Sequence, residues 1–178
     1  MSETKIKIIF VCTGNTCRSP MAEMICKQEL KRRGWKGITI TSAGISPKKA
    51  DTINPNSLCV LEENGIKVEK FSSKRLTERM VKDAYAIVCM TEAQKDRLTE
   101  LRWQTMRKAG EENFGNNVCS FKDVCGYEIL DPYGKDLDCY RYVYALLEKG
   151  MPALVDALRI KNYVKVPQKR GRKKKTEM

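Results

Sequence analysis

The chain has 178 residues, 42% of them hydrophobic and 31% charged, with a formal net charge of +12. That length buries a core without disulfides or metals, and one domain is the default. No apolar run approaches about 20 residues, so no membrane-spanning helix is expected. Histidine is absent, which removes Ser/His/Asp and Cys/His activation and leaves any reactive cysteine dependent on backbone dipoles, hydroxyls or a cation.

Lys5–Val11 is rich in β-branched residues, ends in an apolar run and predicts a buried strand. A polar, Gly-containing loop follows. Pro20 then suits a first helical position, and the stripe Met21, Met24, Ile25 and Leu30 predicts a helix to Arg33, ended by Gly34. Ile38–Ala43 reads as a second strand closed by Gly44. Asn54-Pro55 opens a short helix through Leu61, stopped by Gly65. Asp83–Met90 reads as a third core strand. Thr91 with Gln94 has the capping-box pattern and starts a helix to about Leu101. Val118–Phe121 is a short fourth strand. Leu137–Arg159 divides into two helical stretches with a break at Gly150-Met151-Pro152. Strands alternating with helices predict an α/β single-domain three-layer sandwich, a four-stranded parallel sheet with helices on both faces. Ligands of such sheets bind beyond the strand carboxyl ends, where the loop after the first strand lies.

Half of the charge excess sits in Lys165–Met178, which carries seven Lys or Arg against Glu177. The expected domain is 5–162, followed by a basic, disordered tail at 163–178. Lys169-Arg170-Gly171-Arg172-Lys173-Lys174-Lys175 offers contacts to nucleic-acid phosphates and equally reads as a solvated charge run, which is preferred. Eight cysteines and no CxxC pair, without histidine, argue for reduced thiols over a disulfide framework or a zinc site. Met1–Lys5 runs straight into a strand-like segment and lacks the zones of a signal peptide, so a cytoplasmic location is expected. No metal and no cofactor are expected.

Cys12-Thr13-Gly14-Asn15-Thr16-Cys17-Arg18-Ser19 joins the first strand to the first helix. Its backbone N–H groups can turn inward and meet the helix N-terminus, forming a nest for a dianion. Gly14 permits the required backbone angles and Asn15 tolerates a left-handed one. Arg18 suits a bidentate clamp on two phosphate oxygens. The same groups, with the Ser19 hydroxyl, favour a thiolate at Cys12. A thiolate beneath a bound phosphoryl group is placed for in-line attack, with the equatorial oxygens held by the same donors. Neither GxxxxGK[ST] nor GxGxxG occurs, so the loop is not a nucleotide or dinucleotide loop. The leaving group needs an acid, and without histidine a carboxyl group must supply it. Asp131-Pro132-Tyr133 is the candidate: Pro132 stiffens the turn, and Tyr133 offers an aromatic wall or a solvent-facing turn residue.

Val11–Glu23, Ser42-Ala43-Gly44 and Asp131-Pro132-Tyr133 together resemble the low-molecular-weight protein-tyrosine-phosphatase family from Lys5 to about Ile160. The resemblance implies a phosphorylated protein substrate, Cys12 as nucleophile, Arg18 as clamp and Asp131 as general acid. Asn15, Ser19 and Ser42 are implied as loop-supporting hydrogen-bonders, and Cys17 as a partner that traps oxidised Cys12 in a disulfide. Phosphotyrosine is the family default. Thr16 stands where tyrosine-specific members tend to carry a bulky aliphatic residue and where protein-arginine phosphatases of the family carry threonine. Some members have a histidine behind the loop, near Phe71-Ser72-Ser73, and this chain has none. A thioredoxin-coupled arsenate reductase is the remaining alternative: Cys89 lies roughly where a relay cysteine would sit, but Asp96 occupies the place of its partner.

Overall fold

The computed structural model describes residues 6–48, 51–112 and 114–159. In chain order the elements are β1 (Ile6–Cys12), α1 (Arg18–Arg32), β2 (Ile38–Gly44), α2 (Pro55–Glu63), α3 (Glu78–Asp83), β3 (Ala86–Cys89), α4 (Glu92–Lys108), β4 (Val118–Ser120), α5 (Phe121–Cys125) and α6 (Leu137–Ala157). The four strands form one parallel sheet in the order β2-β1-β3-β4. The basic tail and the outer limits of the expected domain lie outside the described residues.

Period-two alternation in β1 sets the layers. Ile6, Ile8, Phe10 and Cys12 join the larger core with Met21, Leu61, Leu147 and Leu154, beneath α1, α2 and α6. Ile9 and Val11 join the smaller core with Val81 and Leu98, against α3 and α4. A strand buried on both faces must be apolar at every position, which is why β1 reads as a continuous run. The expected three-layer sandwich is the fold of the protein.

The sheet also fixes where the functional loop lies. β1 has β2 on one side and β3 on the other, so the chain reverses its winding direction there. A crevice opens at such a switch point beyond the strand carboxyl ends. Cys12 is the last residue of β1 and sits in that crevice.

Several boundaries differ from expectation. α1 begins at Arg18, not Pro20, because the first-turn N–H groups need no intrahelical partner and a third-position proline costs nothing there. α4 continues to Lys108. The Thr91 hydroxyl accepts from the Gln94 N–H as expected, but the Gln94 side chain accepts from Met90 N–H instead of completing a box. The reciprocal box is at Ser120 and Asp123, where it starts α5; Phe121 is therefore helical rather than the end of the fourth strand. α3 is capped by the Thr77 hydroxyl. α6 passes through Gly150-Met151-Pro152 without a break. Gly150 is needed there because a Cβ would stand 2.8 Å from Cys125 Sγ and from Tyr127 Oη. Burial of Leu147, Met151, Leu154 and Val155 on either side of the proline outweighs its lost hydrogen bond.

Gly44 closes β2 against the functional loop. A Cβ here would lie 2.8 Å from the Thr13 carbonyl oxygen and 3.1 Å from the Asn15 backbone nitrogen. The Gly44 N–H donates to the Lys74 carbonyl, and its own carbonyl accepts from Leu76 N–H, so it cannot retreat. Gly44→Ala should therefore destabilise the protein by about 1–3 kcal/mol, the usual cost of overpacking. Denaturant unfolding measures this, and inorganic phosphate should bind more weakly to the variant because the clash falls on loop backbone.

Candidate active site

The loop from Cys12 to Ser19 is built on buried polar contacts. Asn15, with φ 54°, adopts the left-handed conformation and is fully buried. Gly14 does not adopt positive φ; the left-handed residue of the loop is Asn15. That turn aims the Asn15 N–H at Cys12 Sγ, 3.2 Å away. Ser19 Oγ lies 3.0 Å from the same sulfur. The Asn15 side-chain amide donates to Ser19 Oγ at 3.0 Å and to Ser42 Oγ at 2.9 Å, while its oxygen accepts from Lys74 N–H at 3.0 Å. Ser42 thus reaches the loop from β2.

Arg18 opens α1 and is 4% exposed. Its Nη1 donates to the Ile129 carbonyl at 3.1 Å, and its Nη2 pairs with Asp131 Oδ2 at 2.6 Å. Its Nε is buried without a partner. Since buried donors are almost always satisfied, this N–H is a ready contact for an anion held in the loop. Asp131 is half exposed, and its other oxygen accepts from Tyr133 N–H at 3.2 Å, a turn that Pro132 rigidifies. Tyr133 is exposed, on the wall of the cleft.

These residues surround one cleft of about 270 Å³. Cys12, Thr16, Cys17 and Arg18 contribute to it from the loop, and Asp131 and Tyr133 from the far wall. Ser46, Lys48 and Asp51 also line it. Sequence reasoning missed those three, although the loop after β2 leaves the same sheet edge as Cys12 and was a topological candidate. It also missed Gln94, whose amide donates to Thr13 Oγ1 at 3.3 Å, and Glu23, whose carboxylate accepts from Ser42 Oγ at 2.6 Å.

Cys17 is buried beside Cys12 in the cleft, with its sulfur 3.5 Å from Tyr140 Oη and 3.6 Å from Thr16 Oγ1. Burial pushes the Cys17 thiol up, only partly opposed by those hydroxyls. Cys89 is different. It pairs in register with Val11, joins the smaller core and lies on the face of the sheet opposite Cys12. Burial pushes its thiol up as well. Among the described residues no group of three or more Cys, His, Asp or Glu side chains is placed to hold a metal, and no helix is long and apolar enough to cross a membrane.

The family model for low molecular weight phosphotyrosine protein phosphatase matches residues 7–164. The chain belongs to this family. The protein-arginine-phosphatase of Bacillus subtilis is 32% identical to this family member over 158 residues, covering 85% of this chain and 96% of that one. The low molecular weight protein-tyrosine-phosphatase PtpB of Staphylococcus haemolyticus is 31% identical, covering 80% and 92%. Among solved structures, a mutant of YwlE from Bacillus subtilis superposes with a TM-score of 0.74 at 30% identity, covering 86% of this chain and 99% of that one. The chain is thus a phosphatase-family hydrolase, and the arsenate-reductase alternative is not favoured.

The position of Cys89 gives a direct check. Cys89→Ser should keep hydrolysis of an aryl phosphate within about twofold of native, because the thiol is an apolar-core group on the sheet face opposite Cys12 and does not line the cleft. Loss of turnover with an intact fold, read from steady-state rates beside a melting curve, would restore the relay.

Proposed function

We propose that the chain is a cysteine-dependent protein phosphatase that hydrolyses phosphotyrosine through a phosphocysteine intermediate. The observation that carries this reading is the convergence of the Asn15 N–H and the Ser19 hydroxyl on Cys12 Sγ, beside the buried guanidinium of Arg18. A phosphoryl dianion entering the cleft competes with Asp131 for Arg18 and gains the unpartnered Nε as a further donor. Arg18 turned to the phosphate leaves Asp131 free to meet the leaving oxygen.

The Cys12 thiolate then attacks phosphorus. A P–S bond forms, the P–O bond to the phenol breaks, and the Asp131 carboxyl group gives its proton to the departing oxygen. In the second step the Asp131 carboxylate takes a proton from water as that water attacks phosphorus. The P–S bond breaks, returning the thiolate and releasing orthophosphate. Loop N–H groups and Arg18 hold the equatorial oxygens in both steps. Cys17, in the same cleft, is the partner for an oxidised Cys12. The substrate is a phosphorylated protein, and the reaction takes place in the cytoplasm.

Protein-arginine phosphatase is the second reading, favoured by two wall residues. Thr16 presents a hydroxyl where an aliphatic side chain would suit a phenyl ring, and Asp51 adds a second carboxylate to the lining besides Asp131. A guanidinium leaving group suits that pairing of charge and hydroxyl better than a phenol does, whereas Tyr133 suits the aromatic ring.

Cys12→Ser should abolish hydrolysis of a small aryl phosphate; retained turnover would contradict the mechanism. Asp131→Asn should lower kcat by about 10²-fold or more while leaving phosphate binding largely intact. Initial rates on phosphotyrosine and phosphoarginine peptides decide the substrate. For a tyrosine phosphatase, Thr16→Ile should leave or improve the phosphotyrosine rate. For an arginine phosphatase it should lower the phosphoarginine rate selectively.

A further inference from the structure

The cleft has two unlike walls. One carries Asp131 and Tyr133; the other carries Ser46, Lys48 and Asp51, from the loop after β2. The sheet edge sets what lies beyond that second wall. Gly44 pairs in register with Cys12 on one side and with Arg75 on the other. The second pairing is made by the Gly44 N–H to the Lys74 carbonyl at 2.8 Å and the Leu76 N–H to the Gly44 carbonyl at 2.9 Å. Cys12, Gly44 and Arg75 therefore form one row across the carboxyl edge of the sheet. Neighbouring strands lie about 4.8 Å apart, which puts the Arg75 backbone about 10 Å from that of Cys12. Residues of one row point to the same face, and Leu76, next along the strip, joins the smaller core on the other face. Arg75 thus stands on the face of the sheet that carries Cys12.

The same strip is tied to the cleft wall. The Ser73 hydroxyl donates to the Lys48 carbonyl at 3.1 Å, and the Ser73 N–H to the Asp51 carbonyl at 2.8 Å. These contacts bring Lys48, Lys74 and Arg75 to one side of the cleft. All three side chains are exposed. Among the described residues none of the three has an ion-pair partner. Elsewhere on the surface cations are matched, as Lys95 is with Asp123, Lys108 with Glu78 and Arg141 with Glu63. Asp51 is the carboxylate of this wall, and one of its oxygens is held by the Thr52 N–H at 3.0 Å. The phosphoryl group is taken by the Cys12–Ser19 loop and Arg18, which leaves the three cations for another anion.

We propose that Lys48, Lys74 and Arg75 form a docking surface for acidic residues on one side of the phosphorylated residue of a protein substrate. Extended chain advances about 3.4 Å per residue, so the span of about 10 Å from Cys12 to Arg75 covers about three residues. A Glu or Asp within three positions of the phosphorylated residue comes within reach of the cations. The surface is continuous with the cleft, and its charge complements a carboxylate. The turn on the opposite wall carries Asp131 and Asp136 against Lys135, so an acid on that side meets net negative charge. The preference is therefore one-sided. A net charge of +12 acting as a whole would attract acidic chains from either side equally.

The inference rests on the cleft receiving a phosphorylated residue, and its test is read without turnover. The probes are fluorescent peptides that carry a non-hydrolysable phosphonate analogue of phosphotyrosine. It is flanked by alanines, by glutamates on its N-terminal side only, or by glutamates on its C-terminal side only. Kd is measured by anisotropy on the full chain. One acidic peptide, and not the other, should bind about three- to tenfold more tightly than the alanine peptide, the combined effect of a few exposed charge pairs. Arg75→Glu should abolish or invert that ratio, and Lys74→Glu should act in the same direction, so the failure of one variant to fold leaves the other to decide. Lys31→Glu changes the net charge equally. Its site is near the far end of α1, about 20 Å from Arg18 at a rise of 1.5 Å per residue, and the ratio should be kept.

Equal tightening by glutamates on both sides would overturn the proposal, as would no tightening on either side or the same loss in Lys31→Glu. A one-sided binding preference without hydrolysis of phosphotyrosine or phosphoarginine peptides would remove the proposed function and leave the docking surface standing. Hydrolysis without the preference would do the reverse.

Discussion

The buried side-chain amide of Asn15 holds the site together. It sits on a left-handed residue, reaches Ser19, Ser42 and Lys74 N–H, and its own backbone N–H is aimed at Cys12 Sγ. A non-glycine residue at positive φ costs roughly 1 kcal/mol and persists only where its surroundings over-determine it. Three side-chain hydrogen bonds supply that determination. Without them the loop would relax, and the Asn15 N–H would no longer be aimed at Cys12 Sγ.

Everything around Asn15 serves that geometry. β1 delivers Cys12 to the switch point of the sheet, and β2 delivers Ser42 beside it in register with Phe10. Gly44 lets β2 end against the loop where any side chain would collide. The segment at 74–76 hydrogen-bonds both to Gly44 and to Asn15, so loop and sheet edge are tied by the same strip of chain. α1 then carries Arg18 in its first turn, facing Asp131 on the opposite wall. Asp131 and Arg18 are paired across the cleft; in the proposed mechanism they separate when a dianion takes the guanidinium.

The fold and the core of the site are legible in the sequence for a physical reason. The buried strands are short apolar runs, and the Cys12–Ser19 loop combines residues whose chemistry is hard to explain singly. Asp131 is the candidate proton donor because a chain without histidine must use a carboxyl group. Other features resisted. Gly150-Met151-Pro152 looks like a helix break because proline and glycine weaken a helix locally, yet α6 continues through it on core contacts that no local rule contains. The short helices α3 and α5 carry too few residues for a periodic signal. Asp51 and Lys48 are ordinary loop residues until the topology brings them to the cleft, and the buried contact of Glu23 depends on a partner nineteen residues away.

In the proposed mechanism Cys12 Sγ, faced by the Asn15 N–H and the Ser19 hydroxyl, accepts the phosphoryl group, which is the direct signature of that mechanism. The decisive measurement is rapid acid quenching of the protein during turnover of an aryl phosphate, followed by mass mapping of the labelled peptide. A phosphoryl group on Cys12 that appears within a turnover and decays with product release is the expected result. Label on any other residue, or turnover with no labelled protein at any time, would contradict it.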